Sequence, residues 1–179
     1  MDNGLIPRRY AKALYMTGLE KGSNEAIYEL MQRVDSNFAQ HPSLSATVAN
    51  PFVGESDKVQ LLVTAAGESD NALYGDFLKL LSQNGRLDMA WDIARAFVDI
   101  YRRQNNIYRV TVVSATTLGT AEKTRIESFV SGHIGKGSVE YEYKVDASLI
   151  GGFTITVNSE RLDVSVASQL KQLRLQLLG

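Results

Sequence analysis

Over residues 5–105 the apolar positions recur at the three- and four-residue spacing of a helical face, interrupted at short intervals by turn residues. Pro7 suits a first helical turn, and Tyr10, Ala13, Leu14 and Thr17 follow it at helical spacing. Ser23 or Asn24 would cap a second helix carrying Ile27, Leu30, Met31, Val34 and Phe38. His41-Pro42 breaks that helix, and a short third one with Leu44 and Val48 ends at Asn50-Pro51. Gly54 to Asp57 opens a fourth, bearing Val59, Leu62, Val63 and Ala66. Ser69 or Asp70 would cap a fifth, with Leu73, Phe77, Leu80 and Leu81. Asn84-Gly85 is its stop, because both residues tolerate the left-handed conformation. A sixth helix from about Met89 to Gln104 puts Ile93, Ala94, Phe97, Ile100 and Tyr101 on one face. Short connections between six short helices imply an all-α six-helix bundle.

The period changes after the polar triplet Gln104-Asn105-Asn106. Tyr108 to Thr116 is rich in β-branched residues, with Val110 and Val112 alternating against Arg109 and Thr111. Gly119-Thr120 opens another helix holding Ile126, Phe129, Val130 and Ile134. After a turn at Gly135–Ser138, Val139, Tyr141, Tyr143 and Val145 alternate with charged residues, the period of a strand with one apolar face. Gly151 and Gly152 then interrupt a strand-like run, a place for a sharp corner, before Phe153, Ile155 and Val157 alternate with Thr154, Thr156 and Asn158. A short strand near Leu162-Asp163-Val164 and a last helix with Leu170, Leu173 and Leu177 complete the pattern. The fold class expected is α+β: a helical bundle over 1–105, then a smaller α/β domain over 106–179.

Composition narrows the function classes. The chain has 179 residues, no cysteine, 19 Lys+Arg and 20 Asp+Glu, for a net charge of -1. Absence of cysteine removes disulfides, thiolate metal sites and thiol nucleophiles. Residues 1–105 hold 11 basic and 13 acidic side chains, and residues 106–179 hold 8 and 7. Neither half has the excess positive charge that supplies most non-specific nucleic-acid affinity. The start of the chain lacks a basic segment followed by an apolar core, and no run approaches the ~20 apolar residues that span a bilayer. These features lead us to expect a cytoplasmic, soluble chain that reaches a membrane only through a partner.

No motif carries chemistry. His41 and His133 lack a second ligand or acid–base partner at useful spacing, and His133 suits a helix C-terminus. Gly135-Lys136-Gly137-Ser138 lacks the third glycine and the strand-to-helix context of a dinucleotide loop, so it reads as a turn. Asp163 beside Ser165 reads as an N-cap for the last helix. Tyr101-Arg102-Arg103 and Tyr108-Arg109 read as a junction where arginine stems pack on aromatic surface. No catalytic, cofactor-binding or metal-binding residue is assigned.

What stands out instead is surplus apolar helical surface. In the first helix Tyr10, Ala13 and Leu14 share one side while Ala11, Tyr15 and Gly18 lie elsewhere. A helix apolar on more than one side is either central or has a second partner. Leu73, Phe77, Leu80, Leu81 and Asn84 make another stripe on the fifth helix. Such stripes serve either as bundle core or as a groove for an amphipathic helix from another protein.

Five segments in order resemble one family across nearly the whole chain: Arg9-Tyr10-Ala11-Lys12-Ala13-Leu14; Asn50-Pro51 with Lys58; Leu80 to Leu87 with its Asn84-Gly85-Arg86; Val113-Ser114-Ala115 with Leu118; and Asp146, Leu149-Ile150-Gly151-Gly152-Phe153, Asp163, Ser165 and Leu170. The family is that of the delta subunits of bacterial F-type ATP synthases, relatives of the mitochondrial oligomycin-sensitivity-conferring protein. Arg8 and Arg9 form a doubled basic pair where that family varies. The resemblance implies a non-catalytic stator subunit without cofactors. It would join the catalytic head of α and β subunits to the peripheral stalk b subunits and resist rotor torque. It implies a groove between the first and fifth helices for the N-terminal helix of an α subunit, with Tyr10, Ala13, Leu14, Phe77, Leu80, Leu81 and Asn84 at the matching positions. Gly85, Gly151 and Gly152 are its structural signature. Stalk contact would fall within Gly151 to Leu177, and location would be peripheral on the inner face of the cell membrane. The rival readings are a generic two-domain helix-binding adaptor unrelated to ATP synthase, a small ligand-binding or catalytic α/β domain at 106–179, and an RNA-binding C-terminal domain.

Overall fold

In a computed structural model the described residues are 4–67, 70–134, 137–149, 151–158 and 160–163. The chain divides into two compact units, Met1–Arg103 and Gln104–Gly179. The first is helical and the second pairs a helix with a mixed sheet, so the fold class is α+β.

The first unit contains α1 (Leu5–Glu20), α2 (Asn24–Gln40), α3 (Pro42–Ala49), α4 (Glu55–Ala65), α5 (Ala72–Gln83) and α6 (Ala90–Gln104), with a 3-10 turn at Leu87–Met89 leading into α6. Side chains from all six share one continuous core, with Ile27, Leu62, Leu81 and Phe97 fully buried. Aromatic pairs tie α2 to α6: Tyr28 stacks on Tyr101 at 4.1 Å and Phe38 on Trp91 at 5.8 Å. Arg102 Nε donates to the Tyr28 hydroxyl at 3.0 Å, and its guanidinium lies 5.9 Å from that ring's centre. The Tyr101-Arg102 pair therefore serves packing within this unit.

Two local expectations are corrected. The inward stripe of α1 is Pro7, Ala11, Leu14 and Gly18. Tyr10 and Ala13 lie off it, because the small residues are what let α1 approach its neighbours. A methyl on Gly18 would collide with the Asn24 side chain. Secondly, the cap of α5 is Asn71, whose Oδ1 accepts from Tyr74 N at 3.0 Å. Of the earlier candidates, Ser69 lies outside the described residues and Asp70 precedes the cap. Tyr74 is buried beside that cap and its hydroxyl donates to the Leu62 carbonyl at 3.0 Å; burial pushes its pKa above the ordinary tyrosine value. The short strand expected near Leu162-Asp163-Val164 is present as the strand Glu160–Asp163, whereas the expected last helix with Leu170, Leu173 and Leu177, and with it the capping role read for Asp163, lies outside the described residues.

The second unit holds β1 (Ile107–Ser114), α7 (Thr120–Ile134), β2 (Ser138–Val145), β3 (Phe153–Val157) and β4 (Glu160–Asp163). Sheet order is β2-β1-β3-β4. β1 and β2 are parallel, the crossover being α7, and β1–β3 and β3–β4 are antiparallel. Register places Val112 between Tyr143 and Ile155, and Val110 between Tyr141 and Val157, so these residues share one face. They pack with Ile126 and Val130 of α7. Tyr143 donates to the Glu127 carboxylate at 2.7 Å; burial first, then that acid, raise the tyrosine's pKa.

On the opposite face Glu142 accepts from Arg109 at 2.9 Å and lies 3.0 Å from Lys144 Nζ. Burial alone would raise its carboxyl pKa, but the hydrogen bonds and charges of those two cations outweigh it and hold it below the ordinary value. Thr154 departs from the expected alternation and is buried on this polar face. Gly152 enters β3 at φ 76, a left-handed conformation that favours glycine, and its carbonyl accepts from Ala115 N at 3.3 Å. Asp146 holds the preceding turn by accepting from Ser148 N at 2.9 Å.

Candidate functional site

Beside the inward stripe of α1, Ile6 and Tyr10 are half-buried and Arg9 and Ala13 exposed. There Ile6, Arg9, Tyr10 and Ala13 face Leu80 and Arg86 across a cleft of about 400 Å³. Four of its six lining residues are apolar or aromatic, and the other two are arginines.

The end of α5 positions the second wall. Gly85 takes φ 59; its N–H donates to the Ser82 carbonyl at 2.9 Å, and Arg86 N donates to the Leu81 carbonyl at 2.8 Å. These are the paired bonds of a Schellman end, in which the glycine occupies the left-handed position. They fold the chain back so that Arg86 lies next to the last turn of α5 rather than beyond it. Asn84 Nδ2 adds a bond to the Leu80 carbonyl at 2.8 Å. Asn84 thus secures the helix end and does not line the cleft.

The candidates read from sequence therefore separate. Tyr10, Ala13 and Leu80 line the cleft. Leu14, Phe77 and Leu81 are buried in the core. Neighbours Leu80 and Leu81 show the division most sharply, at 46% and 0% exposed. Ile6, Arg9 and Arg86 are lining residues that the stripe argument did not single out. The signal for Arg86 was its place after Asn84-Gly85, where a helix end returns the chain.

A second cleft in the first unit, about 480 Å³, includes His41, Leu44, Asp57 and Leu61 in its lining. In the second unit a cleft of about 470 Å³ opens between α7 and the sheet, lined by Leu118, Ile126, Phe129, Phe153, Ile155 and Leu162 with Glu122 and Arg125. Of the Gly151–Leu177 region, residues 151–158 and 160–163 are described; Phe153, Ile155 and Leu162 face this cleft. Among the described residues no three acids or histidines gather as a metal site, and no helix is long and apolar enough to cross a membrane.

Comparison with known sequences bears on this arrangement directly. The profile of the ATP synthase delta (OSCP) subunit matches residues 6–177. The chain belongs to the ATP synthase delta (OSCP) subunit family. ATP synthase subunit delta of Parabacteroides distasonis is 32% identical over 178 residues, covering 99% of this chain and 98% of the relative. That of Bacteroides thetaiotaomicron is 32% identical over 181 residues, covering 99% and 96%. That of Prochlorococcus marinus is 32% identical over 168 residues, covering 94% and 93%. A chain of the Toxoplasma gondii mitochondrial ATP synthase hexamer superposes with a TM-score of 0.73, covering 97% of each chain at 23% identity, a likeness of fold. Membership in this delta family makes the protein a structural, non-catalytic component of the ATP synthase peripheral stalk. An adaptor unrelated to ATP synthase is not supported.

Proposed function

We propose that residues 1–105, the first unit with the two residues that follow it, form a six-helix bundle that binds the N-terminal helix of an ATP synthase α subunit in the cleft between α1 and α5. Residues 106–179, within the second unit, engage the stalk b subunits. Together they hold the catalytic head of α and β subunits still while the rotor turns, on the inner, cytoplasmic face of the membrane.

The observation that carries this reading is the α1–α5 cleft in a chain of the delta family. Its apolar and aromatic lining of Ile6, Tyr10, Ala13 and Leu80 matches what an amphipathic helix lays into a groove. A helix seated there with flanking contacts would bury on the order of 1,200–1,600 Å² in total, the size of a stable interface. Most of the binding energy would sit in a few central anchors, and Tyr10 and Leu80, large side chains of the lining contributed by facing helices, would be those anchors. A stator under torque needs slow dissociation, and interface contacts act mainly on that rate. Tyr10, Ala13 and Leu80 would touch the helix directly, while Leu14, Phe77, Leu81 and Asn84 would hold the walls that present them.

Support for the stalk assignment comes from the cleft beside α7, where Phe129 and Leu162 are 52% and 46% exposed. Exposed apolar side chains gathered at a concavity mark an interaction surface. Co-elution separates the two roles. Leu80→Asp should lose the α3β3 head and keep the b subunits, and Phe129→Asp should do the reverse. Retention of both partners by both folded variants would refute the assignment.

A further inference from the structure

The six residues lining the α1–α5 cleft include two arginines and no acid. Three arginines elsewhere are engaged within the fold, Arg33 with Glu29, Arg109 with Glu142, and Arg102 with the Tyr28 hydroxyl, although being without such a partner is not peculiar to the cleft. Among the described residues neither the Arg9 nor the Arg86 guanidinium has an ion-pair or side-chain hydrogen-bond partner. Their backbones are nonetheless fixed. Arg9 stands in the second turn of α1, and Arg86 is held by the two hydrogen bonds that close α5. Two cations placed by rigid elements at one apolar concavity, with no acid there to neutralise them, are complementary to an anionic partner.

We infer that this cleft reads charge as well as shape: Arg9 and Arg86 form a cationic rim that selects a partner helix bearing carboxylates along the border of its apolar stripe. The inference rests on the reading that the cleft takes the α-subunit helix, and it adds what that helix must carry. Apolar contacts with Tyr10, Ala13 and Leu80 supply most of the affinity. The rim sets direction and register, since a helix laid in reverse would bring its carboxylates to the wrong wall. A charged rim also speeds encounter and makes it salt-dependent, because exposed charges are screened over roughly 10 Å at 0.1 M salt.

The test uses the full-length chain and a synthetic peptide of the N-terminal helix of the α subunit from the same complex. A second peptide has every Asp and Glu changed to Asn and Gln. Arg9→Gln with Arg86→Gln should weaken binding of the native peptide about tenfold, the sum of two partly exposed ion pairs, and flatten its salt dependence. The amidated peptide should lose the same factor against the unaltered chain and nothing further against the double variant. Arg9→Lys with Arg86→Lys should keep most of the affinity, since charge is retained.

Wild-type affinity and an unchanged salt slope in the double Gln variant, while Leu80→Asp abolishes binding, would overturn the rim and leave the groove standing. A native helix without carboxylates that binds tightly would do the same. Failure of the unaltered chain to bind, or full binding by folded Leu80→Asp, would overturn the groove reading and this inference with it. The fold of each variant is checked by the fluorescence of Trp91, the single tryptophan, in urea.

Discussion

The two units bury apolar surface in different ways. In the helical unit six helices feed one continuous core, and the closest packing rests on small side chains such as Ala11 and Gly18. Its candidate binding cleft lies where Tyr10 and Ala13 of α1 meet Leu80 of α5. In the α/β unit Val110, Val112, Ile126, Val130 and Ile155 make a thinner core between one helix and one sheet face, and Phe129 and Leu162 stay exposed beside it. In the first unit no fully buried core residue lines the cleft, and Tyr10 alone of its lining packs against the core. In the second, core and cleft share Ile126 and Ile155, so binding and stability are coupled there.

The largest expected effect tests the thick core. Phe97 is fully buried, and Phe97→Ala should cost about 3–5 kcal/mol in urea unfolding followed by Trp91 fluorescence. A loss below about 1 kcal/mol would mean that the helical core is looser than described. Ile126→Ala in the thin core should cost about 2–4 kcal/mol, read by amide exchange in β1 and β3. Trp91 should report little change, because that indole is in the other unit, bonded to Asp35 at 2.9 Å. If both probes moved equally, the two cores would not be separate.

Smaller effects sharpen the contrast. Asn71→Ala removes the α5 cap and should cost about 1 kcal/mol, again seen at Trp91. Glu142→Gln should cost about 0.2–1 kcal/mol at neutral pH, because the pair with Arg109 and Lys144 is partly exposed. The Glu142 carboxyl has a lowered pKa in the fold, so its contribution is present above the unfolded-state value near 4.3 and fades as pH falls through the folded value. Wild type and Glu142→Gln should therefore converge in acid. A constant difference across pH would assign the effect to packing.

Long, cleanly periodic segments were legible in sequence: α2 with Ile27, Leu30, Met31, Val34 and Phe38, and β2 with Val139, Tyr141 and Tyr143. The inward side of α1 was not, because Ala11 and Gly18 carry little hydrophobic signal yet decide how closely helices approach. The α5 cap was misplaced because Ser69, Asp70 and Asn71 are all capping types, and only backbone geometry selects among them. For the cleft, sequence spacing grouped Leu80 with Leu81 and Phe77, although one helical residue is a rotation of roughly 100° and separates wall from core. Arg86 enters through a helix-end fold that no periodicity describes.

The central claim is that the α1–α5 cleft, and not the core beneath it, holds the α-subunit helix. Titration calorimetry of the full-length chain with the α-subunit N-terminal peptide tests it most directly, comparing Leu80→Asp with Leu81→Ala. The account predicts one-to-one binding by the unaltered chain and a loss of at least about 100-fold in Leu80→Asp at unchanged stability. Leu81→Ala should lose about 2–4 kcal/mol of stability and, while folded, keep its affinity. A folded Leu80→Asp that binds as tightly as the unaltered chain would contradict the account.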